Sequence, residues 1–342
     1  MSEPSDAPQA NDTVAPETLS VSPLSYKDLW FDDGSIILQS PTASFRVHRS
    51  ILSFHSQVFR DMFVVSAPVE DAMVDGVPVV HVQDDAESLF QLLKALYFPR
   101  HIRKGTAMEM SLVVLLIEMA TKYMVDFLRD ELVSHLRLLF PSTLEDYLKT
   151  WEAPLKDICC KTDGLYAVEV AVKFGIPEIL PMALYESARL ESTLEELLYG
   201  TRDVDDTLVQ LSSANLKTLL LGQHRLHGLK RRLSFKFIRE YLAGEAGMHC
   251  QQKFGDLFVH LLVDDTDEDS NGVCFEDDVD LIVPKRRNAR HNLVSALGIC
   301  DTCSDEFWQA EKASWETVWE EIPKCFGLEW PTGPGQAVPV SN

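Results

Sequence analysis

The stretch FRVHRSILSFHSQVFRDMF, residues 45–63, determines how the first half of the chain folds. Its first residues alternate, with Phe45 and Val47 on one face, as in a half-buried strand. After His48 the spacing changes to steps of three, four and seven residues, which predicts apolar helical faces. These faces are formed by Ile51, Leu52, Phe54, Val58, Phe59, Met62 and Phe63. Ser56 interrupts the run and is predicted to cap a second short helix.

This stretch resembles the opening of a BTB/POZ domain. The family pattern requires a Phe, a His, a Leu four residues after the His, then a Ser and two further Phe. The chain has these at Phe45, His48, Leu52, Ser56, Phe59 and Phe63. The flanking segments resemble BTB proteins of mushroom-forming fungi, and the likeness extends over residues 26–330. It implies an α+β fold in which a small sheet with flanking helices precedes a mostly α-helical region.

Residues 25–141 are predicted to form the BTB-like domain. A hairpin should use residues 36–38 and 43–47, with Pro41 in its turn, and residues 78–83 should form a third strand. Asp84 and Glu87 have the spacing of a capping box at the start of the next helix. Helices are predicted at residues 84–98, 107–122 and 125–140.

Residues 142–330 are predicted to form a helical extension. Ala120, Lys122, Tyr123, Val125 and Leu128 recur 51 residues later as Ala171, Lys173, Phe174, Ile176 and Ile179. This repeat predicts two stacked helical hairpins. Further helices are expected at residues 143–151, 181–195, 213–242 with a break near Gly222, 249–262, 281–298 and 307–322. In the last of these, Trp308, Trp315 and Trp319 share one side and are expected to cover the helical core.

The charge distribution restricts the possible partners. The net charge of −22 argues against a nucleic-acid backbone or an anionic membrane as the main partner. Residues 264–280 hold nine acidic and no basic residues, and are interpreted as a solvated loop. A docking site for a basic partner is the alternative. Residues 1–24 and 331–342 are predicted to be disordered tails.

The cellular compartment is expected to be the cytosol or the nucleus. No apolar run approaches the roughly 20 residues that cross a bilayer, and the N-terminus lacks the features of a signal peptide. Seven cysteines without an export signal are interpreted as reduced thiols. The basic clusters at residues 230–232 and 285–287 are read as solvated faces, with a weak nuclear signal as the alternative.

No motif predicts catalysis or a bound cofactor. The sequence contains neither a phosphate-binding Gly-rich loop nor a nucleophile elbow. Cys300 and Cys303 have the spacing of half a zinc site, to which His249 and Cys250 could supply the other half. Since a single CxxC is a weak signal, buried reduced thiols are the preferred interpretation, and no metal is expected.

The sequence favours protein–protein interaction as the function. Leu29, Trp30 and Phe31 form a surplus of large apolar groups ahead of the first strand, and if exposed they would form a patch that monomers avoid. The resemblance implies homodimerisation through this element and the first helices. The expected interaction residues are therefore Leu29, Trp30, Phe31, Ile51, Leu52, Phe54, Val58 and Phe59, of which some should be core.

Further site residues follow from the resemblance alone. It implies an acidic and a basic residue at the dimer interface, for which Asp33 and Arg49 are the nearest matches. A cullin-3 ubiquitin-ligase adaptor would use Phe63 and a triplet that matches Pro68-Val69-Glu70, although proline replaces the usual bulky apolar residue. Three functions therefore stay open: a self-associating scaffold or adaptor, a cullin-3 substrate adaptor or transcription-associated regulator, and a zinc-binding protein.

Overall fold

A computed structural model describes residues 24–65, 73–98, 108–152, 162–189, 194–243, 248–255 and 297–331. Several predictions lie outside this part of the chain: both tails apart from residues 24 and 331, the acidic segment 264–280, Glu70, the basic cluster 285–287 and the helix at 281–298 apart from its last two residues. The described residues divide into two compact units, residues 1–96 and 97–342. The boundary predicted at residue 141 stays a prediction.

The first unit contains a five-stranded sheet with the order β1-β3-β2-β5-β4. Its strands are β1 (Leu24–Trp30), β2 (Ile36–Gln39), β3 (Ala43–Val47), β4 (Met73–Val74) and β5 (Val77–His81). Helices α1 (Arg49–His55), α2 (Gln57–Val65) and α3 (Ala86–Tyr97) accompany it. The small sheet with helices, followed by a mostly helical region, confirms the predicted fold class.

The predicted hairpin is present as β2 and β3. The two strands are antiparallel, with Leu38 opposite Phe45, and the alternate residues of β3 are buried as the sequence period requires. The Ser40 hydroxyl donates to the Ala43 carbonyl at 3.0 Å and accepts from the Ala43 amide at 3.0 Å, which closes the turn at Pro41. Strand β1, which the sequence did not predict, pairs in parallel with β3.

The joint between α1 and α2 forms as predicted. Ser56 is fully buried, and its hydroxyl accepts a hydrogen bond from the Phe59 amide at 3.0 Å. This satisfies one of the free amides at the start of α2. At the start of α3 the cap is Asp85 rather than Asp84, because its carboxylate accepts from the Ser88 amide at 2.8 Å. Hydrogen bonds from the Ser88 side chain and the Ser88 amide lower the pKa of Asp85.

The second unit is built from helices and one small hairpin. The helices are α4 (Met110–Lys122), α5 (Asp126–Leu139), α6 (Leu144–Glu152), α7 (Asp163–Lys173), α8 (Leu180–Arg189), α9 (Leu194–Tyr199), α10 (Ser213–Ala243) and α11 (Asp301–Cys325). The hairpin pairs β6 (Thr201–Arg202) with β7 (Leu208–Val209). A 3₁₀ turn, Met248–Cys250, precedes a helical segment at residues 251–255.

The internal repeat corresponds to two helical hairpins with matching turns. Met124 lies between α4 and α5 with φ of 51°, and Gly175 lies between α7 and α8 with φ of 63°. The amide after each of them bonds back five residues, Val125 to the Ala120 carbonyl at 2.8 Å and Ile176 to the Ala171 carbonyl at 2.9 Å. This is the Schellman arrangement that ends many helices.

Contacts between the two hairpins support the predicted stacking. Arg129 of α5 donates to the Phe174 carbonyl at 3.0 Å, at the end of α7. The guanidinium of Arg137 donates to the Glu178 carboxylate at 3.0 Å, and Lys173 pairs with Glu118 of α4. The second hairpin is therefore fixed to the first by polar contacts at its turn.

The break predicted near Gly222 is wrong, because α10 runs without interruption through that position. The glycine has a different purpose, since a Cβ at residue 222 would overlap the Phe326 ring that follows α11. Nearby, Arg225 donates to the Cys325 carbonyl at 3.0 Å. Gly222 therefore allows α10 and the end of α11 to approach closely.

Aromatic rings cover the helical core beside α11, as the tryptophan spacing predicted. Trp319 is buried, stacks on Trp330 at 4.6 Å between ring centres and lies 5.3 Å from the Tyr147 ring of α6. The Trp330 indole donates to the Trp319 carbonyl at 2.8 Å. Trp308 and Trp315 are only half-buried. The tryptophans therefore belong mainly to the packing of this unit.

Candidate functional site

The structure sorts the predicted interaction residues into a core group and a surface group. Four of them are buried: Leu29, Leu52, Phe59 and Phe63. The Phe59 and Phe63 rings stack at 5.8 Å in α2. These four side chains form the interior of the sheet unit, so a partner could reach them only if the unit unfolded.

The surface group centres on helix α1. The Phe54 side chain is 78% exposed, while Ile51 and Val58 are half-buried. Ile51 and Phe54 lie about one turn apart in α1. Val58 belongs to α2, which begins after the extended residue Ser56. The Phe54 ring contacts the His55 ring edge-on at 4.9 Å. If a partner buried this ring completely, the burial would contribute roughly 1.5–3 kcal/mol of favourable binding free energy.

Trp30 and Phe31 are half-buried where β1 runs into a turn. The turn is fixed from β3, since the Phe31 amide donates to the Arg46 carbonyl at 2.9 Å. The Arg46 guanidinium in return donates to the Gly34 carbonyl at 3.1 Å and the Asp32 carbonyl at 2.6 Å. Both apolar rings are thus presented on a well-fixed backbone.

The structure gives Asp33 and Arg49 separate contacts. The Asp33 carboxylate lies 3.2 Å from Nε2 of His48, whose ring also packs 5.0 Å from Phe31. The Arg49 guanidinium donates to the Phe63 carbonyl at 2.6 Å and lies 5.6 Å from the centre of the Phe63 ring. Within the described residues, Asp33 therefore contacts His48, and Arg49 contacts Phe63. The interface role of both residues stays a prediction.

Comparison with protein families identifies the first part of the chain. The family model of the BTB/POZ domain matches residues 31–138. Residues 31–138 are a BTB domain. No curated protein matches the chain. Because BTB domains are protein–protein interaction modules, this part of the chain binds protein. Across the described residues, no helix combines the length and the apolar character needed to cross a membrane.

The residues that carried the BTB resemblance are mainly structural. Phe45, Leu52, Phe59 and Phe63 fill the core, and Ser56 caps α2. The carbonyl of His48 accepts the amides of Ile51 and Leu52 at 3.1 and 3.2 Å, at the start of α1. The motif therefore builds the BTB domain.

A second exposed apolar segment lies in the helical unit, and sequence reasoning missed it. Tyr199 and Val204 are 72% and 71% exposed, and Leu208 is 52% exposed. The two strands here have two residues each, which is too short for a recognisable period. The only signal in the sequence is the single apolar residue Val204 among three aspartates at 203–206.

Helix α7 holds this segment in place. The Tyr166 hydroxyl donates to the Asp203 carboxylate at 2.6 Å, and this contact together with burial raises the pKa of Tyr166. The Glu169 carboxylate accepts from the Ser212 amide at 2.6 Å and from the Asn215 side chain at 2.8 Å, at the start of α10. These hydrogen bonds therefore tether both the hairpin and the start of α10 to α7.

The cysteines named in the sequence come together in part. The Sγ atoms of Cys250, Cys300 and Cys303 all lie within 4.8 Å of one another. His249 is exposed and is not a member of this group. Desolvation by burial raises the pKa of Cys303 to about 12, while hydrogen bonds from Cys303 and Cys250 lower the pKa of Cys300.

Proposed function

We propose that this protein is a non-catalytic scaffold or adaptor that self-associates through its BTB domain and binds a client protein through its helical unit. The observation that carries the proposal is the exposed Phe54 ring on the BTB domain, at a position where the sequence predicted an interface. A cytoplasmic or nuclear location and an origin in a fungal BTB family are further predictions, which rest on the sequence alone.

Self-association is tested by light scattering after size-exclusion chromatography over a range of protein concentrations. We expect a dimer that Phe54→Ser weakens by about 30-fold, because removing a central aromatic side chain from an interface costs about 2 kcal/mol. The melting temperature should hardly change, since Phe54 packs little in its own domain.

The matched control is Phe127→Ser, which removes a 44% exposed Phe from helix α5. It should leave the dimer intact. A native chain that stays monomeric at every concentration contradicts the proposal, and so does a dimer equally sensitive to both variants.

Client binding is tested by affinity purification of the full chain from its native cell. A double variant, Tyr199→Ser with Val204→Ser, should lose partners that the native chain retains. Leu221→Ser, which alters a 48% exposed residue of α10, serves as the control. Equal recovery of partners by the native chain and the double variant would move the client site elsewhere.

Two more specific functions stay open for the BTB domain: recruitment of cullin-3 and regulation of transcription. The cullin reading rests on the resemblance at Pro68-Val69-Glu70, outside the described residues. Calorimetry with purified cullin-3 and the Glu70→Ala variant tests it, and the absence of heat from the native chain would exclude it. Phe63→Ala is unsuitable for this purpose because Phe63 is 4% exposed and its loss would unfold the domain.

A further inference from the structure

Two distant segments of the chain bring three thiol groups together. Cys250 is the last residue of the 3₁₀ turn Met248–Cys250, and Cys300 is the residue before α11. Cys303 lies in the first turn of α11. The three Sγ atoms are mutually within 4.8 Å, and those of Cys250 and Cys300 are 3.7 Å apart.

The 3.7 Å between the Cys250 and Cys300 sulfurs matches the spacing of two ligands on a tetrahedral zinc ion. Zinc binds cysteine sulfur at about 2.3 Å, so two sulfur ligands at the tetrahedral angle lie about 3.8 Å apart. A disulfide would use two of the three sulfurs and leave the third without a role. One thiophilic ion accounts for all three at once.

The segments around the thiols are fixed independently of the sulfur atoms. Lys253 donates to the Gly298 carbonyl, and the Phe254 and Phe307 rings stack at 5.4 Å. Both rings are buried. The positions of the ligands are therefore set by contacts outside the group, which is how protein metal sites achieve their geometry.

The surroundings of the group also suit a bound cation. Cys250 and Cys303 are buried, whereas Cys300 is exposed and leaves an approach from solvent. The Cys300 amide points at the Cys250 sulfur at 3.4 Å, and the start of a long helix favours negatively charged sulfur. The described residues supply three ligands, and water can fill a fourth position on the ion.

We infer that Cys250, Cys300 and Cys303 bind a thiophilic divalent cation, with zinc as the ion that best fits three sulfur ligands and one water molecule. The bound ion joins residue 250 to residue 300 and so closes the long intervening segment. This role replaces the interpretation of the cysteines as ordinary buried thiols, and it does not depend on self-association through the BTB domain.

The test is metal analysis of the full chain, purified in the presence of reductant, followed by titration with Co²⁺ alone. We expect about one zinc per chain. After chelation, Co²⁺ should produce the sulfur-to-cobalt charge-transfer band and the intense visible bands of a tetrahedral site. Cys250→Ser, Cys300→Ser and Cys303→Ser should each weaken zinc binding by more than about 100-fold, beyond the usual loss of a supporting group.

The matched control is Cys325→Ala, which removes a buried thiol near the other end of α11. It should keep the zinc and the cobalt spectrum. The titration of the native chain decides the question by itself, without relying on the folding of a serine variant. The inference is overturned if the native chain, with its thiols reduced, binds neither Zn²⁺ nor Co²⁺. It is also overturned if Cys325→Ala weakens metal binding as much as the three serine variants do.

Discussion

Phe326 fits into a notch that helix α10 leaves at Gly222. In an exposed helix, replacing Gly by Ala stabilises a protein by roughly 0.5–1 kcal/mol. Here the sign should reverse, because the new methyl group would push the Phe326 ring out of its position. The close approach could not be predicted from the sequence, since a glycine in a helical pattern looks the same whether it ends the helix or admits a neighbour.

We predict that Gly222→Ala lowers the free energy of unfolding by about 1–3 kcal/mol, the usual cost of overpacking. Gly228→Ala in the same helix is the control, since a Cβ there would meet no atom within 4 Å. That variant should be neutral or stabilising by up to about 1 kcal/mol. Urea denaturation measures both, and equal shifts in the two variants would refute the role of Phe326.

His135 is a buried polar side chain of α5, and its two ring nitrogens have no hydrogen-bond partner among the residues that the structure describes. Desolvation by burial lowers its pKa, although the charge of Glu131 acts in the opposite direction. His135 therefore binds a proton less readily in the folded chain than in the unfolded chain, where it is protonated below about pH 6.5. Since the unfolded state then binds more protons, stability falls as the pH decreases through this range.

We predict that His135→Leu removes this part of the acid sensitivity. Relative to the native chain, the variant's free energy of unfolding should rise by at most about 1.4 kcal/mol between pH 7.5 and pH 5.5. The lower pH lies about one unit below the ordinary pKa of histidine, and one pH unit corresponds to that free energy. At pH 7.5 it should be neutral or stabilising, since two unpaired nitrogens are lost. Denaturation curves at both pH values test this prediction. It is contradicted if the difference in stability between the variant and the native chain is the same at pH 7.5 and pH 5.5.

At the scale of elements, the two helical hairpins end in the same backbone conformation with different residues. Gly175 adopts the left-handed conformation freely, whereas Met124 does so at a cost of roughly 1 kcal/mol. The repeat in the sequence predicted both turns because the flanking residues, Tyr123 and Phe174, occupy equivalent positions. It could not reveal that one turn is strained.

We predict that Met124→Gly stabilises the chain by about 0.5–1 kcal/mol and that Gly175→Ala destabilises it by about 1 kcal/mol. Met124 is 54% exposed, so little packing is lost on its removal. Thermal and urea denaturation measure the changes. If Met124→Gly destabilised the protein, the Met side chain would have a packing role outside its own turn.

The elements that the sequence missed share a physical cause. Strand β1 has no clear alternation of apolar and polar residues. It forms because it pairs in parallel with β3, and such long-range pairing leaves no local pattern in the sequence. Strands β4, β6 and β7 have two residues each. By contrast, α3, α4 and α5 were predicted to within about three residues at each end, because their apolar faces extend over three or more turns.

The candidate site was predictable only in outline. The apolar surplus at residues 29–31 and along α1 was recognised, but a sequence cannot tell that Leu52 points inward while Phe54, two residues on, is exposed. The cysteine group was half visible as CxxC. Cys250 joins the group because the fold brings the 3₁₀ turn next to α11. This proximity cannot be predicted from a local sequence pattern.

For the molecule as a whole, the net charge of −22 opposes the association of two copies. Salt screens this repulsion, with a Debye length of about 10 Å at 0.1 M. We predict that the proposed dimer tightens several-fold between 50 and 500 mM NaCl, as measured by analytical ultracentrifugation. Weakening in the same range would instead indicate an interface dominated by ion pairs, and melting temperatures in both buffers control for changes in stability.

The matching hairpin ends have a consequence for how such a chain could grow. Arg129 holds the Phe174 carbonyl and Arg137 holds Glu178, so polar contacts attach the second hairpin at its turn. The positions 51 residues further on, in α8, are Leu180 and Ala188. A third hairpin added by duplication would therefore meet neither arginine, which limits extension of the repeat in this direction.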